Sequence, residues 1–221
     1  MRIHRHTAFL LLLTVVAAHT QTEFQRHMPY RSFADSPFKD GHYLYFYLED
    51  FEDGKLNTPG VTVNQGSLVI GDLGYKSPFV DSVDADDGQR DGSGLQGHSL
   101  WSKGNSSLIF VFNEQVLSKL PTHVGMVWTD AANAPMVSFT AFDRNGESIG
   151  RTKAENLGDK VKTGTAMEDC FFGVNYEEGI AKIIINNHLP DFEIDHLQYG
   201  LESPCRECNQ ETNILNAIPD R

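Results

Sequence analysis

The sequence predicts an all-β fold of two packed antiparallel sheets with one short helix. Short apolar runs alternate with turns rich in Gly, Pro, Asn and Asp along most of the 221 residues, and long stretches with helical periodicity are missing. Hydrophobic residues make up 40% of the chain and aromatic residues 10%, which is enough for a packed core. Strands that do not alternate with helices pack as two antiparallel sheets.

The predicted strands fall within residues 43–200, which we expect to form a single sandwich domain. In 137–142 and 192–199 apolar and polar residues alternate, which is typical of a strand that covers a core on one side. The helix is predicted over Asn113–Leu120 and ends before Pro121. The predicted strands are Tyr43–Tyr47, Val61–Val63, Ser67–Ile70, His98–Trp101, Ser107–Phe112, His123–Trp128, Met136–Phe142, Cys170–Val174, Ile180–Ile185 and Phe192–Tyr199.

The N-terminal segment has the three parts of a secretory signal peptide. Arg2 and Arg5 precede an apolar run over 8–16, which is followed by the small residues Ala17 and Ala18. The run is shorter than the ~20 residues that cross a bilayer. We therefore predict a signal peptide over 1–18, a secreted extracellular product without a membrane span, and a flexible arm over 19–42.

The charge balance excludes several kinds of partner. There are 30 acidic and 18 basic residues, which gives a net charge of −12. Such an excess of acid repels phosphate backbones and anionic lipids, whereas proteins that bind nucleic acid usually present a basic face. Cations, neutral sugars and basic proteins remain as predicted partners.

Three cysteines enter an oxidising compartment if the chain is secreted, and one of them must be left over. We expect Cys170 to pair with Cys205 or Cys208, which would attach the tail 201–221 to the domain. The odd cysteine could link two copies into a disulfide-linked dimer. A redox pair or a zinc site at 205–208 is less favoured, because the βαβ context and a fourth ligand are missing.

One sequon for N-glycosylation, Asn105-Ser106-Ser107, has a permitted middle residue. It lies in a polar turn just before an apolar strand, where a glycan is tolerated. Asn105 is therefore a predicted glycosylation site.

The densest acidic segment is 81–91. It contains five aspartates spaced by small residues, and carboxylates on such a backbone are the hard oxygen ligands that Ca²⁺ requires. The alternative is a solvated acidic loop that Arg90 partly neutralises, and the sequence leaves both open. The predicted calcium ligands in this segment are Asp81, Asp84, Asp86, Asp87 and Asp91.

Two motifs resemble a known family. Segments 49–54 and 192–199 are similar to the first and last strands of galactose-binding-like jelly-roll domains, the fold of many carbohydrate-binding modules. This resemblance implies a jelly-roll β-sandwich and a structural Ca²⁺ held by Glu52 and Asp195. Residues 51–200 also resemble secreted bacterial proteins of unknown function that carry a C-terminal sorting helix, which this chain lacks.

A sugar site needs an aromatic plate and a few polar side chains. Trp128 and Asp130, with Asn133 nearby, offer that combination at a strand end. The alternative, which we favour for Trp128, is packing in the core, because buried aromatic residues are commoner than binding plates.

Catalysis is not expected, because the chain lacks a nucleophile elbow, a His-Glu-x-x-His motif and a phosphate loop. Asp195 and His196 are adjacent on a strand and should point to opposite faces, so we do not expect them to form a catalytic pair. A glycoside-active enzyme is the least favoured function.

Together these patterns predict a secreted, acidic, non-catalytic protein. We expect a Ca²⁺-stabilised component of an extracellular matrix or of a mineral-associated layer, whose partner is a glycan, a matrix protein or a mineral surface. The alternative is a lectin-like carbohydrate-binding module.

Overall fold

The computed structural model describes residues 21–64, 66–70, 82–83, 97–131, 134–157 and 167–204. The predicted signal peptide, the five aspartates of 81–91, Asn133, Cys205 and Cys208 lie outside these residues. Within them there are twelve strands, a 3-10 helix at Phe33–Asp35 and one α-helix, α1, at Glu114–Leu117. The strands are β1 (Glu23–His27), β2 (Tyr43–Glu49), β3 (Val61–Val63), β4 (Ser67–Ile70), β5 (His98–Trp101), β6 (Ser107–Phe112), β7 (His123–Ala131), β8 (Ala134–Phe142), β9 (Ser148–Leu157), β10 (Cys170–Asn175), β11 (Lys182–Asn187) and β12 (Phe192–Glu202).

The strands form two antiparallel sheets, which confirms the predicted all-β sandwich. Sheet A has the order β1-β10-β7-β12-β5-β4, and β2 also pairs with β12. The long strand β12 reaches both neighbours on one side because its first half pairs with β5 and its second half with β2. Sheet B has the order β3-β6-β11-β8-β9. Within the described residues no helix is long and apolar enough to cross a membrane.

The core lies between the two sheets and is built from the inward residues of each strand. Phe110, Phe139 and Ile183 of sheet B meet Phe172 and Ile194 of sheet A, and all five are fully buried. Alternate residues of β6, β8 and β11 point outward and are more exposed. The period of two in the sequence therefore identifies the inner face of these strands.

The N-terminal segment is not the flexible arm predicted over 19–42, at least from residue 21 onward. Strand β1 pairs with β10 at the edge of sheet A. Residues 28–41, here called the cover, then cross the outer face of that sheet. Tyr30 and Phe38 of the cover are buried against Val127 and Phe171. The prediction failed because this segment shows no regular alternation of apolar and polar residues. Its aromatic side chains nevertheless have apolar surface to bury.

Two facing glycines make room for the cover. Gly125 of β7 is paired with Gly173 of β10. A Cβ atom at Gly125 would lie 2.3 Å from Cζ of Phe171, and one at Gly173 would lie 3.1 Å from Cζ of Phe38. Because side chains are missing at both positions, the rings of Phe171 and Phe38 lie directly on the sheet, in edge-to-face contact at 5.3 Å.

The single predicted helix is present but is shorter than expected. Helix α1 begins after Asn113, whose side chain accepts a hydrogen bond from the backbone N–H of Gln115 at 2.9 Å. It ends at Ser118, which has a φ of 69°. A left-handed residue stops the helix before Pro121 does.

Candidate functional site

Two adjoining clefts lie at one end of the sandwich, among the described residues. The first has a volume of about 310 Å³ and the second about 450 Å³, and both are lined by Thr122 and Glu177. These volumes are within the range of small-molecule sites, roughly 300–1,000 Å³. The first cleft is lined by Gln21, Glu23, Thr122, His123, Asn175, Tyr176, Glu177 and Glu202.

The register of sheet A brings the first cleft together. Glu23 of β1 is paired with Asn175 of β10, Asn175 with His123 of β7, and His123 with Gly200 of β12. Three of these strands thus place a polar end residue in one row, next to Gly200 of β12. Distant parts of the sequence meet here because the strands that carry them are neighbours in the sheet.

Thr122 holds the wall of this cleft in place. Its hydroxyl oxygen accepts the backbone N–H of Glu202 at 2.8 Å and lies 3.0 Å from Nδ1 of His123. Its backbone N–H donates to the carbonyl of Gly200 at 2.9 Å, and its backbone carbonyl accepts from the N–H of Tyr176 at 2.9 Å. The loops at the ends of β10 and β12 are therefore tied to the start of β7, which preorganises the cleft.

The first cleft is acidic. It is lined by Glu23, Glu177 and Glu202, and none of its lining residues is Lys or Arg. The second cleft adds Glu114 and Glu178 but also Lys119 and Arg144. Arg144 is engaged by its neighbours, since its Nη2 lies 3.4 Å from Oε1 of Glu114 and donates to the carbonyl of Glu178 at 3.4 Å. The first cleft is thus a surface of hydrogen-bond acceptors that disfavours anions.

Tyr176 supplies an aromatic side chain to the lining of the first cleft. It follows β10 directly, is partly buried, and packs against the edge of the core. Its hydroxyl donates to Oε2 of Glu178 at 3.3 Å. A ring held in this way offers one apolar plate beside the carboxylates and the Asn175 amide.

His123 connects the first cleft to the cover. Its ring is in edge-to-face contact with the rings of Phe38 and Tyr43, each at 5.3 Å. Desolvation by this packing holds the pKa of His123 below 6.5, although Glu202 and Glu23 act in the opposite direction. Burial and the nearby Glu202 carboxylate raise the pKa of Tyr43 to about 12. Both groups are therefore neutral at pH 7.

The sugar site predicted at Trp128 is wrong, and the favoured alternative of core packing is confirmed. Trp128 is 0% exposed and lies between the sheets, so it has no free face for a ligand. Asp130 is also buried. The end of β7 that carries these residues lies opposite the end with the two clefts, because the clefts use the first residues of that strand.

The proposed calcium ligands Glu52 and Asp195 are both buried, but backbone donors already engage them. Glu52 accepts the backbone N–H of His98, and its Oε2 lies 3.5 Å from Nδ1 of the same residue. The Asp195 carboxylate accepts the backbone N–H of Val83 at 2.9 Å and the backbone N–H of the next residue, His196, at 2.6 Å. Within the described part of the chain, no group of three or more His, Cys, Asp or Glu side chains could hold a metal ion. Calcium binding stays a prediction, both for Glu52 and Asp195 and for the aspartates of 81–91, which lie outside the described residues.

Asp195 and His196 do not point to opposite faces of the sheet as the sequence predicts. The pairing of β12 with β7 is irregular between Asp195 and Gln198, and His196 has a φ of 43°. Ile194 and Leu197, three residues apart, both face the core, so the two residues between them are displaced to the outer side of sheet A. A bulge breaks the alternation that the prediction assumed.

His196, one of the two displaced residues, joins a buried hydrogen-bonded network under the cover. The hydroxyl of Tyr30 lies 3.1 Å from Nδ1 of His196 and accepts from Nε2 of Gln198 at 3.0 Å. Ser36 donates to Oε1 of the same glutamine at 2.5 Å. All four residues are buried, so this network anchors the cover and is closed to ligands.

The predicted disulfide at Cys170 is wrong. Cys170 is a free thiol that is fully buried in the core between the sheets. Burial raises the pKa of this thiol to about 12. A partner from the tail would have to enter the core to reach it.

The turn before β6 carries the predicted glycosylation site. Asn105 is partly exposed, and its Nδ2 donates to the carbonyls of Ser102 at 2.8 Å and Lys103 at 3.2 Å. Glycosylation of Asn105 stays a prediction.

The sequence predictions missed all residues of the first cleft. They lie at strand ends and beyond them, and they form no motif along the chain. The charged residues Glu23, Glu177 and Glu202 each adjoin a strand terminus, which is a signal, but the sequence does not show which termini meet.

Comparison with known proteins identifies no close relative. No family model and no curated protein matches the sequence. Among solved structures, a family 61 carbohydrate-binding module in complex with β-1,4-galactotriose is similar at a TM-score of 0.35 and 11% identity, over 70% of this chain and 95% of that one. A family 22 xylan-binding domain has a TM-score of 0.32 and 12% identity, over 75% and 99% of the two chains. A C-terminal family 22 module from Clostridium thermocellum has a TM-score of 0.30 and 12% identity, over 75% and 96%. Similarity at this level does not assign a ligand.

Proposed function

We propose that this protein is a non-catalytic carbohydrate-binding domain, and that the first cleft holds a neutral or amino sugar. The observation that carries the proposal is the composition of the cleft, which places three glutamates, two amides and Tyr176 around about 310 Å³. Carboxylates and amide oxygens accept hydrogen bonds from sugar hydroxyls, and an aromatic ring packs against the apolar face of a sugar.

The charge of the cleft defines the class of sugar. Glu23, Glu177 and Glu202 repel the carboxylates of uronic acids and the sulfates of sulfated glycans. Neutral sugars carry no such penalty, and the ammonium group of an amino sugar would be attracted. The ammonium groups of basic peptides would also be attracted. Such peptides lack the multiple hydroxyl groups of a sugar, which the side-chain amides of Gln21 and Asn175 are suited to bind.

We further propose that the domain works outside the cell. The leader-like residues 1–18 support this, and N-terminal sequencing of the mature protein after expression in a secreting host would test it. A mature chain that retained residues 1–18 would contradict secretion by this route. A Ca²⁺-stabilised role in a matrix or mineral layer has no support among the described residues beyond the acidic composition.

A glycan array followed by calorimetry tests the proposal. A neutral or amino oligosaccharide should bind the wild-type chain and remain chemically unchanged. Tyr176→Ala should weaken binding about tenfold, which corresponds to ~1.4 kcal/mol, and Tyr176→Phe should bind nearly as well because the ring is kept. Glu202→Gln should weaken binding several-fold.

The matched control is Glu147→Gln, which removes a carboxylate from an exposed turn that lines neither cleft. It should leave affinity unchanged. The proposal fails if no neutral or amino glycan binds, if only lysine-rich peptides bind, or if Tyr176→Ala binds the glycan as tightly as the wild type.

A further inference from the structure

The outer face of sheet B carries a group of cationic side chains, although the protein as a whole is acidic. Arg151 and Lys153 project from the edge strand β9 and are exposed, and Lys182 of β11 is partly exposed. None of the three has an acidic partner among the ion pairs of the described residues. A concentration of cations on one face is notable in a chain with a net charge of −12.

The sheet register places these cations in neighbouring rows. Ile184 is paired with Thr140, and Thr140 with Arg151. In the next row, Ser138 connects Asn186 to Lys153 across the same three strands. Arg151 and Lys153 are two residues apart on one strand, so their Cα atoms are about 7 Å apart.

The third row completes the surface. Lys182 is paired with Phe142, and its Nζ lies 4.1 Å from the centre of that ring. The cation-π contact fixes the ammonium group over the sheet. Besides the cations and the Phe142 ring, the described outward positions of β6, β11, β8 and β9 in these three rows carry hydroxyls, amides and aliphatic groups. None of these positions carries a carboxylate. The first acidic residue beyond them on β9 is Glu155, paired with Met136.

We infer that this face binds an anionic polysaccharide, a sugar chain that carries a carboxylate or a sulfate on many of its residues. The cations would pair with the charged groups. Thr140 and Asn186, which are partly exposed between the cations, would hydrogen-bond to hydroxyls, and the partly exposed Ile184 would contact the apolar side of a ring. The face lines neither cleft, so the inference is independent of the function proposed for the cleft.

The spacing of the charges favours a polysaccharide over a nucleic acid. Double-stranded DNA carries one charge per ~1.7 Å of its axis, and the net charge of −12 repels such a dense polyanion. A sugar chain has fewer charges per unit length. Arg151 and Lys153 are about 7 Å apart along β9, and Lys182 lies two strands away, roughly 12 Å from Arg151. Spacings of this size match that lower density, and the Debye length of about 8 Å at physiological salt limits repulsion from the rest of the protein.

Binding of polygalacturonate and of dextran sulfate to the full chain tests the inference, with uncharged dextran as the reference. At least one of the two anionic polymers should bind at low salt, and dextran should bind at least tenfold more weakly. Which polymer binds tighter shows whether carboxylate or sulfate is preferred. Arg151→Gln/Lys153→Gln should weaken the interaction at least tenfold and lower the dependence of log K on log salt by roughly one to two.

The matched control is Lys55→Gln/Lys103→Gln, which removes two exposed cations away from this face. It should retain wild-type affinity. The inference is overturned if neither polymer binds at low salt, if the control loses as much affinity as the double variant, or if duplex DNA binds more tightly than both polymers. Binding of a neutral glycan to the cleft should be unchanged in the double variant, which separates this test from that of the proposed function.

Discussion

The outer faces of the two sheets differ although their inner faces are alike. On sheet A, residues 28–41 cover the surface, and Tyr30 and Phe38 are as buried as core residues. On sheet B, outward residues such as Val111 and Arg151 are exposed, and none of the described elements crosses them. The comparison shows that this chain uses one outer face for stability and leaves the other available for contacts.

The polar residues of the two faces differ in the same way. On sheet A, His196 and Gln198 are fully buried and hydrogen-bonded to the cover. On sheet B, Lys153 and Lys182 contact solvent. Polar residues on the outer face of sheet A therefore hold the cover in place, whereas those on the outer face of sheet B are candidate ligand contacts.

Truncation of one apolar side chain on each face should give the largest difference. Phe38→Ala removes a ring that packs on Phe171 and His123, and it should lower the free energy of unfolding by about 3–5 kcal/mol. Val111→Ala, on the open face at 45% exposure, should change it by less than ~0.5 kcal/mol. Urea denaturation measures both. Equal losses would mean that the cover does not stabilise the fold.

Removal of one hydroxyl on each face should give a smaller difference. Ser36→Ala deletes the donor to Gln198 and the acceptor of the Phe38 N–H, and should cost about 1–3 kcal/mol because the glutamine stays buried. Ser148→Ala, at an exposed position of β9, should be within ~0.5 kcal/mol of the wild type. A neutral Ser36→Ala in the same denaturation experiment would show that the buried network is not required.

The pH dependence of stability should show the smallest effect. The folded pKa of His123 lies below 6.5, so the unfolded chain binds this proton more readily. The contribution of neutral His123 is complete above pH 6.5 and is lost as pH falls toward the folded pKa. His123→Gln should therefore lose less stability than the wild type between pH 7.5 and pH 5. The melting temperatures of the two proteins, measured across this pH range, check the prediction. An equal fall in both proteins would contradict the desolvation of the His123 ring.

The inner faces of the sheets could be predicted from the sequence, because alternation reports burial on one side. Predicted bounds at Val61–Val63, Ser67–Ile70, His98–Trp101 and Ser107–Phe112 agree with the strands found. Strand β9 was missed because it is an edge strand with a polar outer face, and only Ala154 and Leu157 on it are buried. Strand β1 was missed because its partner strand, β10, lies far away in the sequence.

The cover and the first cleft could not be predicted, since both depend on which distant segments meet. Tyr30 reaches His196 only through a bulge that the alternation of β12 does not reveal. Glu23, His123 and Glu202 meet only after the sheet order is known. Trp128 and Cys170 show the opposite error. The sequence suggested a sugar site and a disulfide for these residues, but both are packed in the core.

Amide-resolved NMR titration of the isotope-labelled protein tests most directly whether the clefts and the open face bind while the covered face does not. A neutral or amino oligosaccharide should shift the amides of Thr122, Tyr176 and Glu202, and an anionic polysaccharide should shift those of Thr140, Arg151 and Lys182. The amides of Val127, Phe171 and Gln198 should stay unchanged in both titrations. Shifts centred on these covered residues, with none at the clefts or on sheet B, would contradict the account.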